Sequence, residues 1–190
     1  FSNTDPNAFR KSVAGLSMMV APLLFLASAI VSPRLTSDEA GQLAVVSGNM
    51  DRWFASNLLG LMSLIVLVPA ILGLVHMLRE REVGLGHLGG GLALIGAMLS
   101  AGGTAIAFVV WQMGAASADP RAMTGLYERL TGTTGVALPF LLGGFVLAAG
   151  LLVLCLGLAR AQAVHGSAAL AFAIGVVLFV IGSATFSVGR

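Results

Sequence analysis

Long apolar stretches alternate with short polar ones along this chain. Five stretches, at about 12–32, 54–78, 87–113, 135–159 and 164–187, contain no Asp, Glu, Lys or Arg. Each is long enough for a helix across a bilayer core, which takes roughly 20 residues. The short alternating segments of a membrane β-barrel are absent. The pattern predicts an all-α integral membrane bundle of five transmembrane helices, folded as a single domain.

The connections are of two kinds. Segments 79–86 (REREVGLG) and 160–163 (RAQA) read as tight turns, whereas 33–53 and 114–134 are longer and fall together on the other side. Each longer connection reads as holding a short interfacial helix on the outer side. In the first, Thr36 and Glu39 have capping-box spacing and Asp38 falls in the first turn. In the second, Asp119 can cap, Pro120 suits the first helical position and Gly132 can end the helix. Met123, Leu126, Tyr127 and Leu130 make one apolar stripe between them.

Charge decides orientation only narrowly. One side carries Arg10, Lys11, Arg79, Arg81 and Arg160, and the other Arg34, Arg52, Arg121, Arg129 and Arg190. The basic counts tie. Arg10 and Lys11 abut the first run, which usually dominates, so a cytoplasmic N-terminus is expected. Trp53, Trp111 and Tyr127 then fall at the outer interface, where an aromatic belt forms.

Small residues recur every seven positions on four of the five runs. They are Ala14, Ala21 and Ser28 on the first, Gly89, Gly96 and Gly103 on the third, and Gly143, Gly150 and Gly157 on the fourth. The fifth carries Ala168, Gly175, Gly182 and Gly189. Such seams let helix backbones approach closely, and a strict heptad favours left-handed crossings of about 20°. His87 and His165 both open their runs, and the order of long connection, helix and tight turn occurs twice. This predicts a duplicated two-helix unit, repeated in parallel, whose sixth helix lies beyond the sequence or comes from another protein. The chain begins at Phe1 rather than Met, which is compatible with a natural start upstream. The first run is too long for a cleavable signal peptide.

Composition agrees with this picture. Hydrophobic residues make up 57% of the 190 and charged residues 9%, against about a quarter charged in soluble domains. The lipid bilayer is therefore the expected partner of the outer surface. No basic block of the kind that tracks phosphates is present, so nucleic acid is set aside. The lone Cys155 can form no internal disulfide and reads as a small buried hydrophobe.

The uncharged runs argue against a pump, a proton-coupled transporter or a voltage sensor. A retinal pigment is excluded because the only lysine, Lys11, precedes the first run. No nucleophile with a base and no carboxylate pair lies within a run, so no catalytic residue is assigned and a non-enzymatic protein is expected. The histidines are the best chemical lead. His76, His87 and His165 all fall near the inner face, and two imidazoles from facing helices can hold a b-type haem. Rings at helix ends also sit comfortably among headgroups, and no Cys or carboxylate cluster supports zinc. Asn57, Ser63, Ser100, Thr104 and Gln112 read as interhelical hydrogen-bonding glue. Pro22, Pro69 and Pro139 are expected to kink their helices, which can open a small apolar cavity for a lipid or quinone.

The order RKSVAGLSMMVAPLLFLAS, DRWFASNLLGLMSLIVLVPAILGLVHMLRERE and GLGHLGGGLALIG resembles a group of small polytopic membrane proteins of high-GC, actinobacterial-type bacteria. The points of likeness are the basic residues before a proline-bearing helix, the Arg-Trp before the second helix and the Pro–Leu-Gly-Leu run into a charged turn. The resemblance covers about the first 100 residues, implies a bacterial inner-membrane location and carries over no activity or site.

The functional expectation is an association protein: an accessory subunit with a membrane-protein or self partner, or a bundle that holds a small apolar ligand without a cofactor. The alternatives are a haem- or quinone-binding anchor of a redox complex and a transporter or channel for an uncharged solute.

Overall fold

The computed structural model describes residues 6–36, 39–115, 120–132 and 134–162. All regular structure among them is helical. Helix α1 is Pro6–Val31, α2 Glu39–Gly48, α3 Met50–Leu78, α4 Val83–Ala115, α5 Pro120–Gly132 and α6 Thr134–Arg160. Helices α1, α3, α4 and α6 are long and apolar enough to cross a membrane. In lipid a backbone must satisfy its polar groups within its own segment, which these helices do. This is the build of a multi-pass membrane protein. The fifth apolar run, with His165 and its small-residue seam, lies outside the described residues.

The helices begin earlier than the apolar runs suggest. Helix α3 starts at Met50 rather than 54, and Asp51 in its first turn complements the positive end of the helix dipole. Helix α4 starts at Val83 rather than 87. Its Val-Gly-Leu-Gly opening reads as a turn in the sequence because of the glycines. In the structure a Cβ on Gly86 would lie 3.0 Å from that of Leu78, so the glycine serves close approach of α4 to the end of α3. The turn shrinks to residues 79–82, held by Glu82 N–H to Leu78 O at 3.0 Å.

The four long helices pack mainly in chain order. Helix α1 lies on α3, α3 on α4, and α4 on α6 in the most extensive contact, with a lighter contact between α3 and α6. The main core is built from Ile71, Leu74 and Leu78 of α3, Ala93 of α4, and Leu154 and Leu158 of α6. The short helices sit together near one end. Helix α2 packs on α4 and α5, and α5 also touches α6. Pro120 is the first residue of α5 and Gly132 its last, as their positions suggest. Of the predicted α5 stripe, Tyr127 is buried and Met123 and Leu130 pack beside it, but Leu126 turns outward. The capping residues Asp38 and Asp119 lie outside the described residues. Helices α1 and α3 run through Pro22 and Pro69 without ending.

The small-residue seams have identified partners. A Cβ on Gly96 would overlap the backbone of Leu147, and one on Gly150 the backbone of Ala93. At Gly89 it would lie 2.8 Å from the nitrogen of Leu154, and at Gly143 2.8 Å from that of Ser100. The α4 and α6 seams therefore face each other, backbone against backbone. The α1 seam faces α3 in the same way. A Cβ on Gly73 would lie 2.5 Å from that of Ala14, Ser63 Oγ donates to Ala21 O at 2.8 Å, and Ser28 Oγ to Ser56 O at 2.7 Å. The described chain thus forms two units of like plan: α1–α2–α3 and α4–α5–α6. Each is an antiparallel pair closed by small residues, with one short helix in its connection.

Candidate functional site

The polar side chains inside the spans are largely bound to backbone. Besides Ser28 and Ser63, Asn57 Nδ2 donates to Trp53 O at 2.8 Å and Thr104 Oγ1 to Ser100 O at 3.1 Å. These bonds relieve the cost of a hydroxyl or amide in an apolar medium. They tie helices to each other or to themselves. Cys155 is buried on α6.

At the end with α2 and α5, aromatic residues gather as expected but turn their polar edges inward. Trp53 Nε1 donates to Ala107 O at 2.9 Å, joining α3 to α4. Tyr127 Oη donates to Gln42 Oε1 at 2.6 Å, and Gln42 Nε2 to Thr36 O at 3.0 Å. Both Gln42 and Tyr127 are buried, so the bond ties α5 to α2 out of water. Phe54 lies against Trp111 with ring centroids 4.9 Å apart. The buried Trp111 Nε1 has no hydrogen-bond partner among the described residues. The belt expected at this level is in part a set of internal braces.

The opposite end holds the chemically richer place. Leu72, Val75, His76 and Arg79 recur at three- and four-residue intervals and share one face of α3 and its C-terminal turn. The short turn reverses the chain so that His87, one turn into α4, stands beside them. The five residues line a groove of about 230 Å³. Leu72, His76, Arg79 and His87 are exposed, so the groove opens at the surface. A Cβ on Gly90 would overlap the side chain of Val75, and its absence seats α4 against α3 beside the groove.

The groove has a definite polar character. His87 Nδ1 lies 2.8 Å from Val83 O. A carbonyl only accepts, so Nδ1 carries the hydrogen and the neutral ring keeps Nε2 as an acceptor. The Arg79 side chain has no ion pair or hydrogen bond among the described residues. The neighbouring Arg81 is engaged, donating from Nη1 to Ala161 O at 2.8 Å and tying the turn to the end of α6. Glu80 and Glu82 share the turn but do not line the groove.

The structure therefore brings His76 and His87 together, while His165 lies outside the described residues. At about 230 Å³ the groove is smaller than the roughly 300–1,000 Å³ of usual cofactor and ligand clefts. No group of three or more His, Cys, Asp or Glu that could hold a metal ion occurs among the described residues. Sequence reasoning found both histidines and missed Arg79 as their companion. Its signal was the spacing of Leu72, Val75, His76 and Arg79, which becomes informative once the turn is known to be short. No protein-family model, curated protein or solved structure matches this chain.

Proposed function

We infer that the chain is a non-enzymatic, multi-pass protein of a bacterial cytoplasmic membrane, with its N-terminus inside and α2 and α5 at the outer interface. It works by association, as an accessory subunit of a membrane complex or through a second copy of itself. The observation that carries this reading is the free face of α1. This helix packs on α3 and is the least buried of the four spans. Leu16, Met19, Leu23, Leu26 and Ile30 are each more than half exposed. Their intervals alternate between three and four, the spacing of a helix-pairing seam. Among the described residues, α3 and α4 also expose apolar side chains at such intervals, but the α1 stripe is the most exposed and lies on the least buried span. The intramembrane hydrogen bonds to backbone support a packed bundle that holds a partner rather than a solute path.

Affinity purification of the tagged chain from its own membranes in a mild detergent, followed by mass spectrometry, tests the reading. A stoichiometric membrane-protein partner or a second copy is expected, and Leu23→Ala with Leu26→Ala weakens its recovery. A monomer carrying only lipid contradicts it. The convergence of His76 and His87 favours one second reading, a haem-binding anchor subunit. A visible absorption spectrum of the purified chain separates the two, since haem between imidazoles gives a Soret band.

A further inference from the structure

We propose that the groove lined by Leu72, Val75, His76, Arg79 and His87 is a binding site for an anionic phospholipid whose headgroup carries free hydroxyls, of the phosphatidylglycerol type. The inference rests on the bundle's place in a bilayer and is independent of association through α1.

Three features of the groove select this occupant. The first is charge. Among the described residues Arg79 is a permanent cation with no protein partner, and no carboxylate of theirs lines the groove with it. An unpaired guanidinium at the end of a membrane span is suited to a phosphodiester, with which it forms short charge-assisted hydrogen bonds. The same cation disfavours a metal ion between His76 and His87. The second feature is the pair of imidazoles. His87 has its Nδ1–H held by Val83 O, so the neutral ring offers Nε2 as an acceptor. An acceptor beside a cation calls for a ligand that combines an anionic oxygen with a hydroxyl donor. A glycerol headgroup has both, and a choline headgroup has no hydroxyl.

The third feature is the apolar wall. Leu72 and Val75 precede His76 and Arg79 by about one turn on the same face of α3, toward the middle of the span. On α4, Gly91 lies one turn beyond His87, and a Cβ there would meet nothing within 4 Å. The polar groups are at the helix ends and the open apolar surface runs inward from them, matching the order of headgroup and acyl chain in a lipid. A free phosphate would use only the upper part.

Native mass spectrometry of the full chain, equilibrated in detergent with equal amounts of phosphatidylglycerol and phosphatidylcholine, tests the proposal. The unmodified chain is expected to retain phosphatidylglycerol about tenfold over phosphatidylcholine, the scale set by one charged hydrogen-bonding contact. Arg79→Gln is expected to reduce the preference severalfold, leaving the part that the histidines contribute, and to leave the fold intact because the position is exposed. Arg160→Gln, at the same end of the bundle but outside the groove, is expected to keep it. Replacing both His76 and His87 with Leu is expected to remove discrimination between phosphatidylglycerol and phosphatidic acid while the charge preference survives. Equal retention of the two first lipids, or a preference unchanged by Arg79→Gln in a chain of unchanged melting temperature, overturns the proposal. Displacement of the lipid by inorganic phosphate alone also overturns it, in favour of a free-anion site.

Discussion

At the residue scale, glycine is the structural currency of this protein's interior. Gly96 and Gly150 place the backbones of α4 and α6 in direct contact, and no side chain fits there without moving a main chain. Gly150→Leu is expected to lower stability by at least the roughly 1–3 kcal/mol typical of overpacking. Gly102→Ala makes the control, since a Cβ at Gly102 meets nothing within 4 Å. Its effect stays within about 1 kcal/mol and favours the helix. Thermal unfolding of the purified variants in detergent reads both. The positions of these glycines were legible in the sequence as a heptad, whereas their partners were not. A seven-residue period says which face of a helix is smooth, and says nothing about which other helix lies on it. The Arg79 side chain shows the same limit: its isolation depends on Arg81, rather than Arg79, reaching Ala161 O.

At the element scale, the two units each consist of two spans and one connecting short helix, and the short helices meet. Helix α5 was legible at both ends because Pro120 and Gly132 have opposite conformational roles at a helix start and finish. The start of α4 was not, since Gly84 and Gly86 look like a turn until Leu78 is seen against Gly86. The brace between the units was also hidden, because Gln42 and Tyr127 lie in separate connections. Tyr127→Phe removes the donor and leaves the buried Gln42 carbonyl oxygen without it. This is expected to cost about 1 kcal/mol and to raise amide exchange in α2 and α5 selectively. Exchange that is unchanged in both helices would show that Val46, Met113 and their neighbours hold the short helices without the hydrogen bond.

At the scale of the whole molecule, the described chain has two dissimilar ends. One carries α2, α5 and the inward-facing aromatics, and the other carries the 79–82 turn, the His76–His87 groove and the end of α6. Of the five apolar runs, four are long helices able to cross a membrane and the fifth lies outside the described residues. The four were legible because a helix in lipid must be apolar over its length, and length and composition are both visible in a sequence. Their order across the bundle follows from packing and was not visible. The central claim is that the membrane lies between these two ends. Single-cysteine labelling in intact cells tests it most directly, using Cys155→Ala as background and a maleimide that does not cross membranes. Ser47→Cys and Gly132→Cys are predicted to react from outside, and Glu80→Cys and Arg160→Cys only after the membrane is permeabilised. Labelling of all four positions from the same side would contradict the account.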